Sequence, residues 1–244
     1  MELKGLTAII TGSTGQLGSA IAKALAVAGC NCVCHYNSNE QLAGEIVEEI
    51  GGEAIAVQGD LSCVEGVERL FAQAGQLGTP RILINSAAVF NKTSLEDITF
   101  EQAQKVLDLN LTAPIMVSQA FVKTVREKFG ETQTPIAKII NIVDIAAQKP
   151  WANYALYCCS KAGLVGATKA LAKELAPGIC VNAIAPGIVN WPGDFDDSDK
   201  AGQLKKIPAG RLAAPAEITE PMIFLLENDY ITGQVLNIDG GRSL

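Results

Sequence analysis

Short apolar runs alternate with stripes of helical period along most of the chain. Leu6 to Thr11 (LTAIIT) is too brief for a helix and suits a strand buried on both faces. The turn Gly12-Ser13-Thr14-Gly15-Gln16-Leu17-Gly18 follows, then a helical stripe of Ala20, Ile21, Ala24 and Leu25 that Gly29 closes. Further strands are expected at Asn31 to Tyr36, Ala54 to Gln58, Arg81 to Asn85, Lys138 to Val143, Cys180 to Ile184 and Gln234 to Ile238. Helical periodicity fills the gaps: Gln41 to Ile50, a segment after Ser62, and a long stretch from about Phe100 to Lys128. Another helix carries Tyr157 and Lys161 to about Leu175, and a last one runs from Pro215 to about Glu227, with Pro221 inside it. Such regular alternation predicts an α/β fold, a doubly wound parallel sheet of about seven strands with helices on both faces. Ligands of such sheets bind beyond the carboxyl ends of the strands, where the glycine turn, Asn85, Asp144 and Pro186 all fall.

No linker, repeat or low-complexity block divides the sequence, so residues 1–244 are read as a single domain. Ile188 to about Pro208 is polar, acidic and punctuated by Pro and Gly, the composition of a substrate lid over 188–208. Asp194, Asp196, Asp197 and Asp199 in it lack the glycine and closing glutamate of a calcium loop, and no metal is expected.

Charge narrows the partners. A formal net charge of −7 argues against nucleic acid and anionic membranes, which leaves a small-molecule partner. With no spanning apolar run and no secretory pattern, the expectation is a cytoplasmic protein. Seven cysteines, an odd number, fit a reducing compartment. Cys30, Cys32 and Cys34 alternate along one strand and share one side of it, with His35, the only histidine, on the other.

The chemistry gathers at those strand ends. A strand, a glycine turn and a helix together make a phosphate-binding loop: Gly12, Ser13, Gln16, Leu17 and Gly18 allow close backbone approach, and the helix N-terminus favours an anion. His35-Tyr36-Asn37-Ser38 closes the second strand without the carboxylate that would hold the ribose hydroxyls of NAD and repel a 2′-phosphate. NADPH is therefore preferred over NADH. Asp60, followed by Leu61, either accepts from an adenine amino group or caps the next helix. Asn85, Ser86 and Ala87 lie where small residues admit a nicotinamide ribose, and Asn110 is either a polar residue inside a helix or the anchor of a water that positions Lys161. Tyr157 and Lys161 stand four apart on one helix face, so a cation can favour phenolate and ease proton transfer near neutral pH. Asp144 ends the fifth apolar run, thirteen residues before Tyr157.

The TG turn at Thr11-Gly12, N-S-A-A at Asn85, Y-x-x-x-K at Tyr157, P-G at Pro186 and the final D-G-G resemble the short-chain dehydrogenase/reductase family over essentially the whole chain. The resemblance implies a Rossmann-like sheet, a nicotinamide cofactor also touching Pro186, Gly187 and Val189, and a homotetramer. It implies that Tyr157 moves the proton, that Lys161 lowers the phenol pKa and holds the nicotinamide ribose, and that Asn110 supports the lysine. Two positions depart from the family pattern. Gln16 replaces the middle glycine of the turn, and Asp144 replaces the serine thirteen residues before the tyrosine. Asp in that slot is similar to the pteridine reductases, in which a phenylalanine past the fourth strand stacks on the pterin; Phe90 matches it. Asp144, Tyr157, Lys161 and Asn110 are then the catalytic set, and Phe90, Asp144 and Tyr157 meet the substrate. The expected activity is reduction of a ring C=N in a pterin or dihydrofolate-type substrate. The alternatives are a 3-oxoacyl carrier-protein-like carbonyl reductase and a nucleotide-binding sensor without chemistry.

Overall fold

Strands β1 (Thr7–Ile10), β2 (Asn31–Tyr36), β3 (Ala54–Gln58), β4 (Pro80–Asn85), β5 (Ala137–Ile142), β6 (Ile179–Pro186) and β7 (Val235–Ile238) form one parallel sheet in the order β3-β2-β1-β4-β5-β6-β7. The structure is a computed structural model that describes residues 1–191 and 196–244. The order reverses between β1 and β4, which opens a crevice beyond their carboxyl ends.

Alternate residues of each strand serve opposite layers. One side of the sheet, with Ile10, Cys32, Cys34, Ile84, Ile140 and Ile184, is covered by α1 (Gln16–Val27), α2 (Glu40–Ile50) and α8 (Pro215–Glu227). The other, with Ile9, Val33, Leu83, Ile139 and Val181, is covered by α3 (Val64–Ala74), α5 (Ala113–Phe129) and α6 (Ala155–Leu175). Strands buried on both faces need no polar alternation, which is why they read as continuous apolar runs. All seven cysteines are free thiols, and Cys30, Cys32 and Cys34 share one apolar layer, where burial pushes Cys30 up to about 11. Among the described residues no helix is long and apolar enough to cross a membrane.

The single helix expected over Phe100 to Lys128 is two, α4 (Phe100–Leu107) and α5, joined by a π turn at Asp108–Thr112. Ala113 N–H reaches back to the Asp108 carbonyl, five residues away. Pro114 explains the break, because it has no N–H to give the carbonyl four residues earlier, that of Asn110. Within the expected lid, Asp197–Leu204 is a short helix, α7. Asp196 caps it by accepting from Asp199 N–H at 2.7 Å, whereas Asp194 lies outside the described residues.

At the amino end of the sheet Lys138 is 1% exposed. Its Nζ donates to the Asn228 carbonyl at 2.6 Å and to the Asp229 carboxylate at 2.7 Å, and the N-terminal amine also reaches Asp229. Lys138→Met leaves that carbonyl and carboxylate without their buried donor. It is expected to lower stability by about 2 kcal/mol, read from the midpoint of urea unfolding. An unchanged midpoint would show that solvent replaces the lysine at no cost.

Candidate active site

Two short glycine contacts shape the turn after β1. A Cβ on Gly12, whose φ is +67°, would meet Ala87 Cα at 2.7 Å; one on Gly18 would meet the Gly12 carbonyl oxygen at 2.2 Å. Backbone therefore lies against backbone here, as a close-fitting anion cradle requires. Gly15 begins α1 with no side-chain cap, which leaves the amides of the first turn without a side-chain acceptor. Thr11 Oγ1 accepts from the amides of Ser86 and Ala87 at 2.9 and 3.0 Å and ties β1 to β4.

His35 locks this corner from behind. Its Nδ1 accepts from Gly12 N–H at 3.1 Å and its Nε2 lies 2.9 Å from the Gly59 carbonyl, partners that select the neutral Nε2–H tautomer. Burial lowers its pKa and keeps it neutral.

The reacting end is built where β5 stops. Asp144 accepts from Ala146 N–H at 2.8 Å through one oxygen and from the Tyr157 hydroxyl at 2.8 Å through the other. Burial raises the Asp144 pKa, against the opposing pull of the Ala146 and Tyr157 hydrogen bonds and the Lys161 and Arg242 charges. Tyr157 is raised too, by burial first and then by the adjacent carboxylate. The resemblance implies a phenol with a lowered pKa; here burial, with the Asp144 carboxylate adding to it, raises the phenol instead and holds it protonated. Lys161 donates to the Ile142 carbonyl at 2.8 Å, with its Nζ 5.8 Å from the Tyr157 ring centre. Burial lowers its pKa to about 8, with Asp144 opposing.

Asn110, fully buried in the π turn, clasps the loop after β4: it accepts from Val89 N–H at 2.8 Å and donates to the Val89 carbonyl at 2.9 Å and Ser160 Oγ at 3.2 Å. It thus fixes the residue before Phe90 against the residue before Lys161. Phe90 stacks on Tyr154 with ring centres 4.8 Å apart and meets Tyr157 edge-on at 4.8 Å and Trp151 edge-on at 6.2 Å. These rings wall one side of a cleft of ≈ 2140 Å³ that runs from the glycine turn past Asp144 to Arg242.

A family model described as enoyl-(acyl carrier protein) reductase matches residues 13–243. A 3β-hydroxysteroid dehydrogenase of Eggerthella lenta is 37% identical over 254 residues, spanning 100% of this chain and 95% of that protein. A 3-oxoacyl-[acyl-carrier-protein] reductase of Synechocystis sp. is 35% identical, over 98% and 97% of the two chains. The chain belongs to the short-chain dehydrogenase/reductase family. Among solved structures, the FolM alternative dihydrofolate reductase of Brucella canis, complexed with NADP, superposes with a TM-score of 0.90 at 29% identity, over 99% and 95% of the chains. This short-chain dehydrogenase/reductase is therefore an NAD(P)-dependent oxidoreductase with the family's seven-stranded sheet.

Most of the residues singled out for the dinucleotide do line the cleft of this reductase: Gly12, Gln16, Leu17, Gly18, His35, Asn37, Ser38, Asp60, Leu61, Ser86, Ala87, Pro186, Gly187 and Val189. Three do not. Ser13 is buried with its N–H and hydroxyl both on the His35 carbonyl, and Tyr36 is buried within β2. Asn85 is buried too, donating to Asn141, Ser118 and Pro114. Strand position alone does not reveal that these residues are buried inside the wall. Asp60 accepts from the Ser62 N–H and hydroxyl at 2.9 and 2.6 Å, whereas Cys63 occupies the cap position of α3. Residues beside the glycine turn and β2, Thr14, Gln16, Asn37 and Ser38, are uncharged, so a 2′-phosphate there would be held by neutral donors. Sequence reasoning missed Trp151, Gln203, Lys206 and Arg242. The spacing 151-154-157 was a usable signal for one aromatic face, whereas the isolated Arg242 carried none.

Lys161 is cationic below about pH 8 in the free enzyme and loses its charge above it, because its pKa is lowered. Any step that uses the cation is expected to weaken as pH rises through that value, seen as a falling alkaline limb in kcat/KM. A profile flat from pH 7 to about 10 would remove the lysine charge from the rate-determining chemistry.

Proposed function

We propose that this enzyme is an NADPH-dependent reductase of pterin or dihydrofolate-type rings, adding hydride to a C=N carbon. The carrying observation is the 2.8 Å hydrogen bond between Tyr157 and a carboxylate at the position where the family resemblance places a serine. Ionised, Asp144 repels the oxyanion of a simple ketone and accepts from a ring that presents N–H and amino groups; protonated, it becomes the proton source for the ring nitrogen through Tyr157. The cluster of Phe90, Trp151 and Tyr154 supports the same reading, because flat rings pair well with aromatic side chains. The FolM reductase, similar in fold and named for dihydrofolate, adds support.

When bound, NADPH supplies the hydride. The ring nitrogen that gains the electron pair takes its proton from the Tyr157 hydroxyl, and the phenol oxygen takes one from protonated Asp144. The buried carboxyl, its pKa raised, can carry that proton. In that state the hydrogen bond between the two runs from acid to phenol, which frees the phenol to donate outward. The carboxylate left behind recovers its proton from solvent. Lys161 orients the nicotinamide ribose and offsets the carboxylate charge, and Asn110 holds Phe90 in register. The small residues Ser86 and Ala87 leave room for that ribose, and α7, with the other described residues of 188–208, acts as the lid. Assembly as a homotetramer and a cytoplasmic location belong to the same proposal, on the family resemblance.

A carbonyl reductase is the second reading, favoured by the similarity to 3-oxoacyl-[acyl-carrier-protein] reductases. Cofactor oxidation with dihydrobiopterin against an acetoacetyl thioester separates the two. Dihydrobiopterin is expected to be reduced preferentially. Asp144→Ser is expected to cut that turnover about a hundredfold, with the affinity for NADP unchanged by direct titration. Equal or better pterin turnover in the serine variant would take away the reason for preferring pterins.

A further inference from the structure

Arg242 lies at the far end of the cleft from the glycine turn and takes no part in the proton transfer. It is held there by a pinned tail. Asp239 accepts from Gly241 N–H at 2.9 Å and Ser243 N–H at 2.8 Å, and Arg242 N–H returns to the Asp239 carbonyl at 3.2 Å. A Cβ on Gly241, whose φ is +85°, would meet the Pro208 ring at 2.9 Å, so the tail packs directly on the end of the lid segment.

The guanidinium carbon sits 5.7 Å from the Trp151 ring centre, and Nη2 donates to Gln203 of α7 at 2.6 Å. Its Nη1 is buried and has no acceptor among the described residues. Two carboxylates are near enough to act on this cation, those of Asp144 and Asp239. Both are already committed, the first to Ala146 and Tyr157, the second to the tail amides. Neither forms an ion pair with Arg242 among the described residues. A half-buried guanidinium whose Nη1 is buried and unpaired among the described residues, stacked near an indole, is built to receive an oxyanion lying against that ring.

We infer that Arg242 is a specificity residue whose Nη1 binds a carboxylate borne by a flat aromatic or heteroaromatic substrate. One carboxylate oxygen meets Nη1 while Nη2 keeps Gln203, so an acid-bearing ligand also fixes α7 over the cleft. The inference rests on the reading of this cleft as the substrate site, and its test separates the two.

Binding of matched acid and neutral ligands to the NADP-loaded full-length enzyme is measured by calorimetry. One pair is pterin-6-carboxylate and 6-hydroxymethylpterin; the other, free of any pterin, is 4-aminobenzoate and 4-aminobenzamide. Wild type is expected to prefer the acid about tenfold or more in at least one pair. Arg242→Gln is expected to bring that ratio to about one, and Arg242→Lys, which keeps the charge without the fork, to retain part of it. If the Gln variant does not fold, the Lys variant carries the comparison, with at least a partial loss of preference expected. A preference confined to the benzoate pair, with neither pterin bound, would sink the pterin reading and leave Arg242 its role. Both pterins binding alike in wild type, with no acid preference in either pair, would overturn the role of Arg242 and leave the pterin reading standing. Failure of both acids to bind, or a preference unchanged in both variants, would likewise overturn it.

Discussion

A phenol 2.8 Å from a buried carboxylate must share one hydrogen bond with it, and where that proton resides governs what the site can do. With the carboxylate ionised, the Tyr157 hydroxyl points inward and is held protonated by burial and by the neighbouring charge. With the carboxyl protonated, the same contact reverses and the phenol becomes an outward donor. Lys161, with its own pKa lowered to about 8, sets how much positive charge opposes the carboxylate. A serine at 144 would offer no such exchange, because a hydroxyl of ordinary pKa does not take up the phenol proton.

The fold exists around this contact in a literal sense. Asp144 is the second residue beyond β5, whose partners β4 and β6 are themselves buried on both faces. Tyr157 and Lys161 come from the first two turns of α6, a 21-residue helix packed along the sheet. Asn110 reaches α6 at Ser160, the residue before Lys161, and its place in a π turn follows from a proline that cannot complete the ordinary ladder. One missing backbone donor thus aims an amide that clasps Val89, and through it the aromatic wall.

Much of this was legible before any coordinates. Seven apolar runs mark seven strands with ends off by one or two residues, because parallel strands need no polar face. Gly12 and Gly18 mark the tight turn after β1, because a Cβ there would collide with backbone. What was hidden is long-range. Ser13 and Asn85 look like cleft residues until their buried partners are seen, Asn85 donating to Asn141 of the adjacent strand, and Tyr36 until its burial within β2 is seen. The direction of the Tyr157 shift was missed because helical spacing shows the lysine but neither the burial of the phenol nor the carboxylate brought alongside by the sheet. Arg242 was invisible for the same reason: its neighbours Trp151 and Gln203 come from distant parts of the chain.

Ionisation of Tyr157 tests the central claim most directly. The chain has four tyrosines, so subtracting the alkaline absorbance titration of Tyr157→Phe from that of wild type isolates this one phenol. The proton-sharing account predicts no phenolate signal from it through the ordinary tyrosine range near pH 10, and an earlier onset once Asp144 is replaced by serine. Phenolate forming below about pH 10 in the wild-type enzyme would contradict it, since the cation and not the carboxylate would then rule the phenol.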